Sequence, residues 1–249
     1  VQGYFHGDNH LVTGYNSKLP GVTDFNLYDA LNTGLNEGFG WYNGVTRIYH
    51  NLSQDYMYGD VMRNVLFLSN HDVSRFYSVV GEDVAKFKLG IAFIMTTRGM
   101  VQWYYGDEIG MKNFSFPEDG LVREDFPGGW AGDTVNKFDV NNLNAKEKDI
   151  YNYVSTLANW RKNSDAIKNG KLMQFIPEEG VYVYFRYTEK ETIMVVMNTS
   201  SKNYKLDAAR FAERISGFSS AYEVISGSTT TGLKNISVNG MEAGIYILK

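Results

Sequence analysis

The stretch Phe67-Leu-Ser-Asn-His-Asp-Val-Ser-Arg-Phe76 places three polar residues directly after an uninterrupted apolar run. That run, residues 64–69, lacks the apolar-polar alternation of a half-exposed strand and is typical of a parallel strand covered on both faces. Polar side chains at the carboxyl end of such a strand lie at the mouth of a β/α barrel, where active sites are built. Asn70, His71 and Asp72 are therefore candidate functional residues, although a turn or helix cap explains an isolated triplet of this kind as well.

The segments around this strand alternate between helix and strand patterns. Apolar residues recur at steps of three and four over residues 83–95, which indicates an amphipathic helix. A second apolar run, residues 100–105, indicates the next strand, and residues 21–27 and 28–36 indicate an earlier strand and its helix. Strand, helix and strand in this order form a right-handed β-α-β unit, so we expect α/β structure over residues 1–168.

The pattern changes in the last third of the chain. Residues 106–145 form a long irregular insert, which favours a functional loop over a simple connector, and a helical pattern follows over residues 146–162. Beyond Gly170 the sequence consists of short Tyr- and Val-rich runs separated by turn residues. We predict a boundary near residue 168 and an antiparallel β-sandwich over residues 169–249, with strands at residues 172–176, 181–187, 192–198, 221–225 and 244–248.

Two further motifs follow the opening stretch. Tyr104-Tyr-Gly-Asp-Glu-Ile-Gly110 ends the second strand, and Arg123-Glu-Asp-Phe-Pro-Gly-Gly-Trp130 lies in its loop. Together the three stretches resemble the alpha-amylase family of glycoside hydrolases, family 13, whose signatures on the seventh and eighth barrel strands they match. The loop of residues 125–133 is similar to the neopullulanase and cyclomaltodextrinase branch of that family.

The resemblance implies a fold and a set of site residues. The chain is expected to be the carboxyl-terminal part of a (β/α)8 TIM barrel, strands 6–8 with their helices, followed by the family's β domain. Residues 22–25 would be the sixth strand. Asp72 would be the carboxylate that stabilises the oxocarbenium-like transition state, and Glu108 a framework residue. The substrate-binding residues implied by the resemblance are His71, Asn70, Arg123, Asp125 and Trp130.

The same resemblance implies that two catalytic groups are supplied from elsewhere. Retaining glycosidases need a nucleophile and a general acid roughly 5 Å apart, and the family carries them on the fourth and fifth barrel strands. Neither motif occurs in this sequence, and only three of eight strands can be drawn. We therefore expect an amino-terminal half as a partner, with Val1 inside a longer polypeptide and any targeting signal upstream of it. The chain alone is expected to be inactive.

Three functions stay open on the sequence. The first is hydrolysis of alpha-1,4 or alpha-1,6 glucosidic bonds in starch-derived oligosaccharides, pullulan or cyclodextrins. The second is glucosyl transfer by the same family, since hydrolysis and transfer share one covalent intermediate. The third is a non-catalytic glucan-binding module that keeps Asp72 and the aromatic loops for binding; aromatic residues make up 15% of the chain.

The composition of the chain also bears on which classes of molecule it can bind. The net charge of −4 and the lack of a Lys or Arg run argue against nucleic acid and an anionic membrane surface. No apolar run approaches a membrane span, and the absence of cysteine leaves the compartment open among periplasm, exterior and cytoplasm. His6 and His10 lack a third ligand, so no metal or cofactor is assigned. The family often binds calcium, through ligands that the resemblance places outside this sequence.

Overall fold

Two architectures follow one another along the chain in the computed structural model, which describes residues 9–16 and 19–249. Helices and short parallel strands precede Gly170, and antiparallel strands follow it. The helices are α1 (Asn9–Asn16), α2 (Phe25–Asn36), α3 (Thr46–Leu52), α4 (Phe76–Val79), α5 (Val84–Thr96), α6 (Ala145–Arg161), α7 (Asp165–Asn169) and α8 (Ala212–Ile215). The strands are β1 (Val65–Leu66), β2 (Met100–Val101), β3 (Lys171–Gln174), β4 (Val181–Tyr187), β5 (Thr192–Asn198), β6 (Tyr204–Lys205), β7 (Ser220–Glu223), β8 (Thr229–Thr231), β9 (Ser237–Val238) and β10 (Glu242–Leu248).

The parallel strands run in the predicted order but are short. β1 pairs with β2, and Thr23 forms a parallel bridge to Val65 on the other side of β1. The prediction of a strand over residues 21–27 was wrong beyond this bridge. The side chain of Asp24 accepts a hydrogen bond from the backbone N–H of Leu27 at 3.0 Å, and this cap starts α2 at Phe25.

Helix α5 connects β1 to β2 and is more buried than its pattern indicated. Its amino terminus is capped by Asp83, as expected from the helical spacing that begins there. Every residue from Leu89 to Thr96 is buried, so the predicted amphipathic character holds only for the first turns of the helix. The reason is that the helix lies between α6 on one side and strands β5 and β10 on another.

The second architecture is a six-stranded antiparallel sheet with the order β3-β4-β5-β10-β7-β8, and β6 and β9 form a small second sheet. Side chains alternate across the large sheet, so that Tyr182 and Tyr184 face α5 while Val181 and Val183 face β6 and β9. The predicted strands in this region are confirmed, with their ends differing by at most two residues. β6, β8 and β9 were missed, because their sequences are short and polar.

One apolar cluster joins the two architectures into a continuous core. It contains the inner residues of α2, α5 and α6 together with the facing residues of β4, β5 and β10. The hydroxyls of Thr96 and Tyr184 share a hydrogen bond across this interface. Arg161 of α6 donates to the carbonyl oxygens of Met95 and Gly99 at 2.6 and 2.8 Å. The α/β plus all-β fold class is confirmed, whereas the boundary near residue 168, which falls inside α7, stays a prediction.

The contact of Gly90 with Phe76 gives a test of the packing of α5. A Cβ added at Gly90 would lie 2.3 Å from Cε1 of Phe76, whereas no atom of the described residues lies within 4 Å of one added at Gly14 in α1. Gly90→Ala should therefore lower the free energy of unfolding by about 1–3 kcal/mol, despite the higher helix propensity of alanine. Gly14→Ala should raise it by up to about 1 kcal/mol.

Urea denaturation followed by circular dichroism measures both changes. Stabilisation by Gly90→Ala would contradict the close packing of Phe76 on α5.

Candidate active site

The loop after β1 turns Asp72 toward solvent. Ser69 and Asn70 are buried, His71 is exposed and Asp72 is half-buried. The side-chain oxygen of Asn70 accepts a hydrogen bond from the backbone N–H of Asp72 at 2.8 Å, which closes a tight turn. Asn70 is thus engaged in building the loop, and its predicted role in binding substrate stays a prediction.

The carboxylate of Asp72 faces two basic side chains through one of its oxygens. Its Oδ1 lies 3.2 Å from Nε2 of His71 and 3.3 Å from Nη2 of Arg123. Arg123 is itself held by the carbonyl oxygen of His71 at 2.8 Å and by Asp119 at 3.0 Å. Within the described residues, Oδ2 of Asp72 has no hydrogen-bond partner, so it can accept a hydroxyl from a ligand.

Two tyrosines after β2 position the loop that carries Arg123. The Tyr104 hydroxyl donates to the carbonyl oxygen of Val122 at 3.2 Å, and the Tyr105 hydroxyl donates to that of Glu124 at 2.8 Å. Burial raises the pKa of Tyr104 to about 12, so this phenol remains a neutral donor over the physiological range. The predicted residues His71, Asp72 and Arg123 are therefore brought together by the ends of two adjacent parallel strands.

Asp125 and Trp130 lie further along the same loop and are exposed to solvent, Trp130 to 71%. The loop folds back on itself: Phe126 packs on Phe138 with ring centroids 4.4 Å apart. Gly128 has a φ of 114°, and a Cβ there would lie 2.6 Å from Cα of Asn136. In the described part of the chain, no hydrogen bond or ion pair joins either side chain to Asp72. Their binding roles stay predictions.

Comparison with known proteins identifies the scaffold that carries these residues. Residues 8–127 match the profile described as "Alpha amylase, catalytic domain", and residues 172–249 match "Cyclo-malto-dextrinase C-terminal domain". The chain belongs to the alpha-amylase family. The candidate site, including Asp72 and Arg123, lies within the part that matches the catalytic domain of this family.

Individual members of the alpha-amylase family match over much of the chain. A cyclomaltodextrin glucanotransferase from Geobacillus stearothermophilus is 27% identical over 232 residues, which are 90% of this chain and 29% of that protein. A cyclomaltodextrinase from Geobacillus thermopakistaniensis (strain MAS1) is 31% identical over 137 residues, 54% of this chain and 21% of that protein. The crystal structure of an Anoxybacillus alpha-amylase superposes with a TM-score of 0.77 at 21% identity, covering 98% of this chain and 50% of that chain. The chain thus spans less than a third of these two curated relatives and half of the solved structure.

Beneath the family signature lies a buried ion pair that the sequence did not reveal. Nη1 of Arg75 lies 3.3 Å from Oδ1 of Asp107, and both side chains are 1% exposed. Ser69 donates to the same oxygen at 3.1 Å, and the guanidinium lies 4.0 Å from the ring centroid of Tyr104. Burial raises the pKa of Asp107 to about 7, against the opposing effect of Arg75. The signal in the sequence was Arg75 itself, three residues after Asp72 and within the same motif.

Glu108 serves the framework of the eighth-strand signature. Its Oε2 accepts hydrogen bonds from the indole N–H of Trp103 at 3.0 Å and from the backbone N–H of Gly106 at 2.9 Å. Gly106 has a φ of 85°, which favours glycine in the turn that follows β2. These contacts agree with the framework role that the resemblance implied.

Neither a metal-binding cluster nor a membrane-spanning helix occurs among the described residues. No group of three or more His, Asp or Glu side chains there could hold a metal ion. His6, one member of the histidine pair considered above, lies outside the described residues. Across residues 9–16 and 19–249, no helix is long and apolar enough to cross a membrane.

The raised pKa of Asp107 predicts how stability depends on pH. Since its pKa is about 7 in the folded protein and 3.8 as the ordinary value, the folded state holds a proton that the unfolded chain releases between these values. The stabilisation from this group is fully present below about pH 4 and is lost as pH rises through about 7. The positive charge of Arg75 lowers the pKa of Asp107, and the negative charge of Glu108 raises it. Tyr28 is a further titratable neighbour of Asp107.

Asp107→Asn removes this titration. The difference in the free energy of unfolding between wild type and variant should therefore fall from about pH 4 to about pH 7 and then level off. Urea denaturation at a series of pH values measures it. A difference that grows with pH would mean that Arg75 outweighs burial.

Proposed function

We propose that the chain is the carboxyl-terminal part of a retaining alpha-glucan hydrolase that cleaves alpha-1,4 or alpha-1,6 glucosidic bonds. Starch-derived oligosaccharides, pullulan or cyclodextrins are its substrates. The observation that carries the proposal is the carboxylate of Asp72 at the end of a parallel barrel strand. One of its oxygens lies beside His71 and Arg123, and the other has no hydrogen-bond partner among the described residues.

Asp72 stabilises the transition state in this proposal and does not attack the sugar. Its free Oδ2 accepts hydrogen bonds from sugar hydroxyls, and these strengthen as positive charge and ring distortion develop. His71 and Arg123 hold the carboxylate in place. Fixing these groups before the substrate arrives lowers the reorganisation that the reaction requires.

The nucleophile and the general acid come from an amino-terminal part of the enzyme. Support comes from the sheet itself, because β2 pairs with β1 along one edge and with no other strand in the described residues. Beside that open edge lies a cleft of about 720 Å³, lined by apolar side chains that include Val101, Trp103 and Val154. A further strand and its side chains would fill this space and cover the edge.

Asp72→Asn tests the assignment in the enzyme that contains both parts. The variant keeps the size of the side chain but loses the charge, so kcat on pullulan or a cyclodextrin should fall by at least about 100-fold while KM changes much less. Asp83→Asn is the matched control, because asparagine still caps α5 and the residue is exposed and outside the site. A variant at Asp72 with nearly wild-type kcat would contradict the proposal.

Glucosyl transfer is a second candidate, favoured by the cyclomaltodextrin glucanotransferase that matches 90% of the chain. Hydrolysis and transfer differ in whether water or a sugar intercepts the covalent intermediate. Chromatography of the products separates them, since transfer yields longer or cyclic oligosaccharides from a short malto-oligosaccharide and hydrolysis yields only shorter ones.

The chain by itself should release no reducing sugar from pullulan or a cyclodextrin, because its proposed catalytic group is the stabilising carboxylate alone. Addition of the amino-terminal part, or expression of both as one polypeptide, should restore activity. Activity of the lone chain, with intact mass spectrometry confirming a single 28.2 kDa species, would contradict the proposed division of catalytic groups. Glucan binding without activity in either form would favour a non-catalytic binding module.

A further inference from the structure

We propose that Asp107 is a positioning residue that anchors both ends of the loop carrying Asp72, residues 69–75. The inference rests on the proposed role of Asp72 and extends it, because Asp107 is buried and does not itself reach the substrate side of the loop. The proposal stands on two hydrogen bonds to Oδ1 of Asp107, one from Ser69 and one from Arg75, and on the further contacts of these two residues at the ends of the loop.

The first anchor holds the beginning of the loop. The Ser69 hydroxyl donates to Oδ1 of Asp107 at 3.1 Å and accepts a hydrogen bond from the backbone N–H of Phe76 at 2.9 Å. Ser69 therefore spans the loop from its first residue to the first residue of α4, and Asp107 orients its hydroxyl. A hydroxyl with a fixed acceptor offers its lone pairs in one direction only.

The second anchor holds the end of the loop. The Arg75 guanidinium donates to Oδ1 of Asp107 and to the carbonyl oxygen of Tyr105, and its carbon lies over the rings of Tyr104 and Tyr105 at 4.0 and 4.9 Å. The backbone N–H of Arg75 donates to the carbonyl oxygen of Asn113 at 2.9 Å. Both ends of the loop are thus fastened to the segment that follows β2.

Above its pKa of about 7, Asp107 is ionised, and its negative charge makes it more than a hydrogen-bond acceptor for Arg75. Arg75 is fully buried, and in the part of the chain that the structure describes its Nε and Nη2 have no hydrogen-bond partner. Asp107 is the carboxylate that pairs with it among those residues. An asparagine at this position would leave a buried guanidinium facing only neutral groups, so Arg75 would shift and release the end of the loop.

A second buried group of charged residues provides a control away from the loop. Asp24 and Arg98 are each 1% exposed and lie 2.7 Å apart, and Arg98 also pairs with Asp55 at 2.6 Å, so Asp24→Asn leaves this arginine one carboxylate. Among the described residues, no hydrogen bond or ion pair joins Asp24 or Arg98 to the loop or to Asp72. Asp24→Asn makes the same chemical change, and asparagine still caps α2. Ser69→Ala is a second variant at the site, because it removes one anchor and keeps the ion pair.

The experiment combines hydrogen-deuterium exchange with kinetics on the enzyme that contains both parts. Each variant is assayed at the same interval below its own unfolding temperature, with pullulan or a cyclodextrin as substrate. Asp107→Asn should speed exchange in a peptide covering residues 67–77 and lower kcat by about 10- to 100-fold, with KM changed by less than about threefold. Ser69→Ala should produce smaller changes in the same direction in the exchange rate and in kcat. Asp24→Asn should leave the exchange rate and kcat near their wild-type values.

The proposal is overturned if both site variants keep kcat within about twofold of wild type under these conditions. It is also overturned if exchange rises equally in residues 67–77 and in the remote strands β4 and β5, since that would show a general loss of stability. Failure of the proposed function has a different signature: Asp72→Asn would keep its activity, while the exchange of residues 67–77 would still report whether Asp107 anchors the loop.

Discussion

Burial of helix α5 between the parallel strands and the antiparallel sheet is the constraint on which the rest of the structure depends. Every residue of this helix from Leu89 to Thr96 is buried, and each large apolar residue there contributes about 1.5–3 kcal/mol of burial. The antiparallel sheet supplies the second surface that makes this possible. The carboxyl-terminal domain therefore completes the core that fixes β1, β2 and the loops after them, in addition to any role of its own.

The same constraint explains how the catalytic loop gains rigidity on a short strand. β1 has only two residues in ladder pairing, which by itself would give a weak platform. Phe76, at the end of the loop, packs so closely on Gly90 of α5 that no side chain fits at that glycine. The loop is thus held from below by α5 and from the side by the residues after β2.

The sequence predicted the order of elements because their signals are local. A continuous apolar run marks β1, and capping residues such as Asp83 mark helix ends. The large sheet is readable because β4 and β5 are rich in Val, Tyr and Met between clear turns. The strand predicted over residues 21–27 was wrong beyond Thr23, because the side chain of Asp24 caps a helix that begins at Phe25. Short polar strands such as β6 form only through tertiary contacts, which no local pattern reports.

For the site, sequence motifs identified the exposed groups and missed the buried ones. Asp72, His71 and Arg123 stand in motifs whose resemblance to the alpha-amylase family implied their roles at a sugar, and the structure brings them within hydrogen-bonding reach. Arg75 and Asp107 stand in the same motifs but carry no such signal, because their partnership depends on a contact across 32 residues. Only the fold shows that a charged pair lies beneath the loop.

The charged residues of the site form two layers: Asp72 with His71 and Arg123 at the surface, and Asp107 with Arg75 buried beneath them. In the upper layer, His71 and Arg123 lie beside Oδ1 of Asp72, and Oδ2 has no hydrogen-bond partner among the described residues. The carboxylate is therefore held in place and can still accept hydrogen bonds from a ligand. A carboxylate held only by solvent would have to reorient as a sugar binds, and that reorganisation would raise the barrier. In the lower layer, Asp107 and Arg75 are removed from water and from substrate, so their attraction is little screened. A buried pair of this kind adds little net stability, but it has one favourable geometry, and that geometry sets the position of the loop above it.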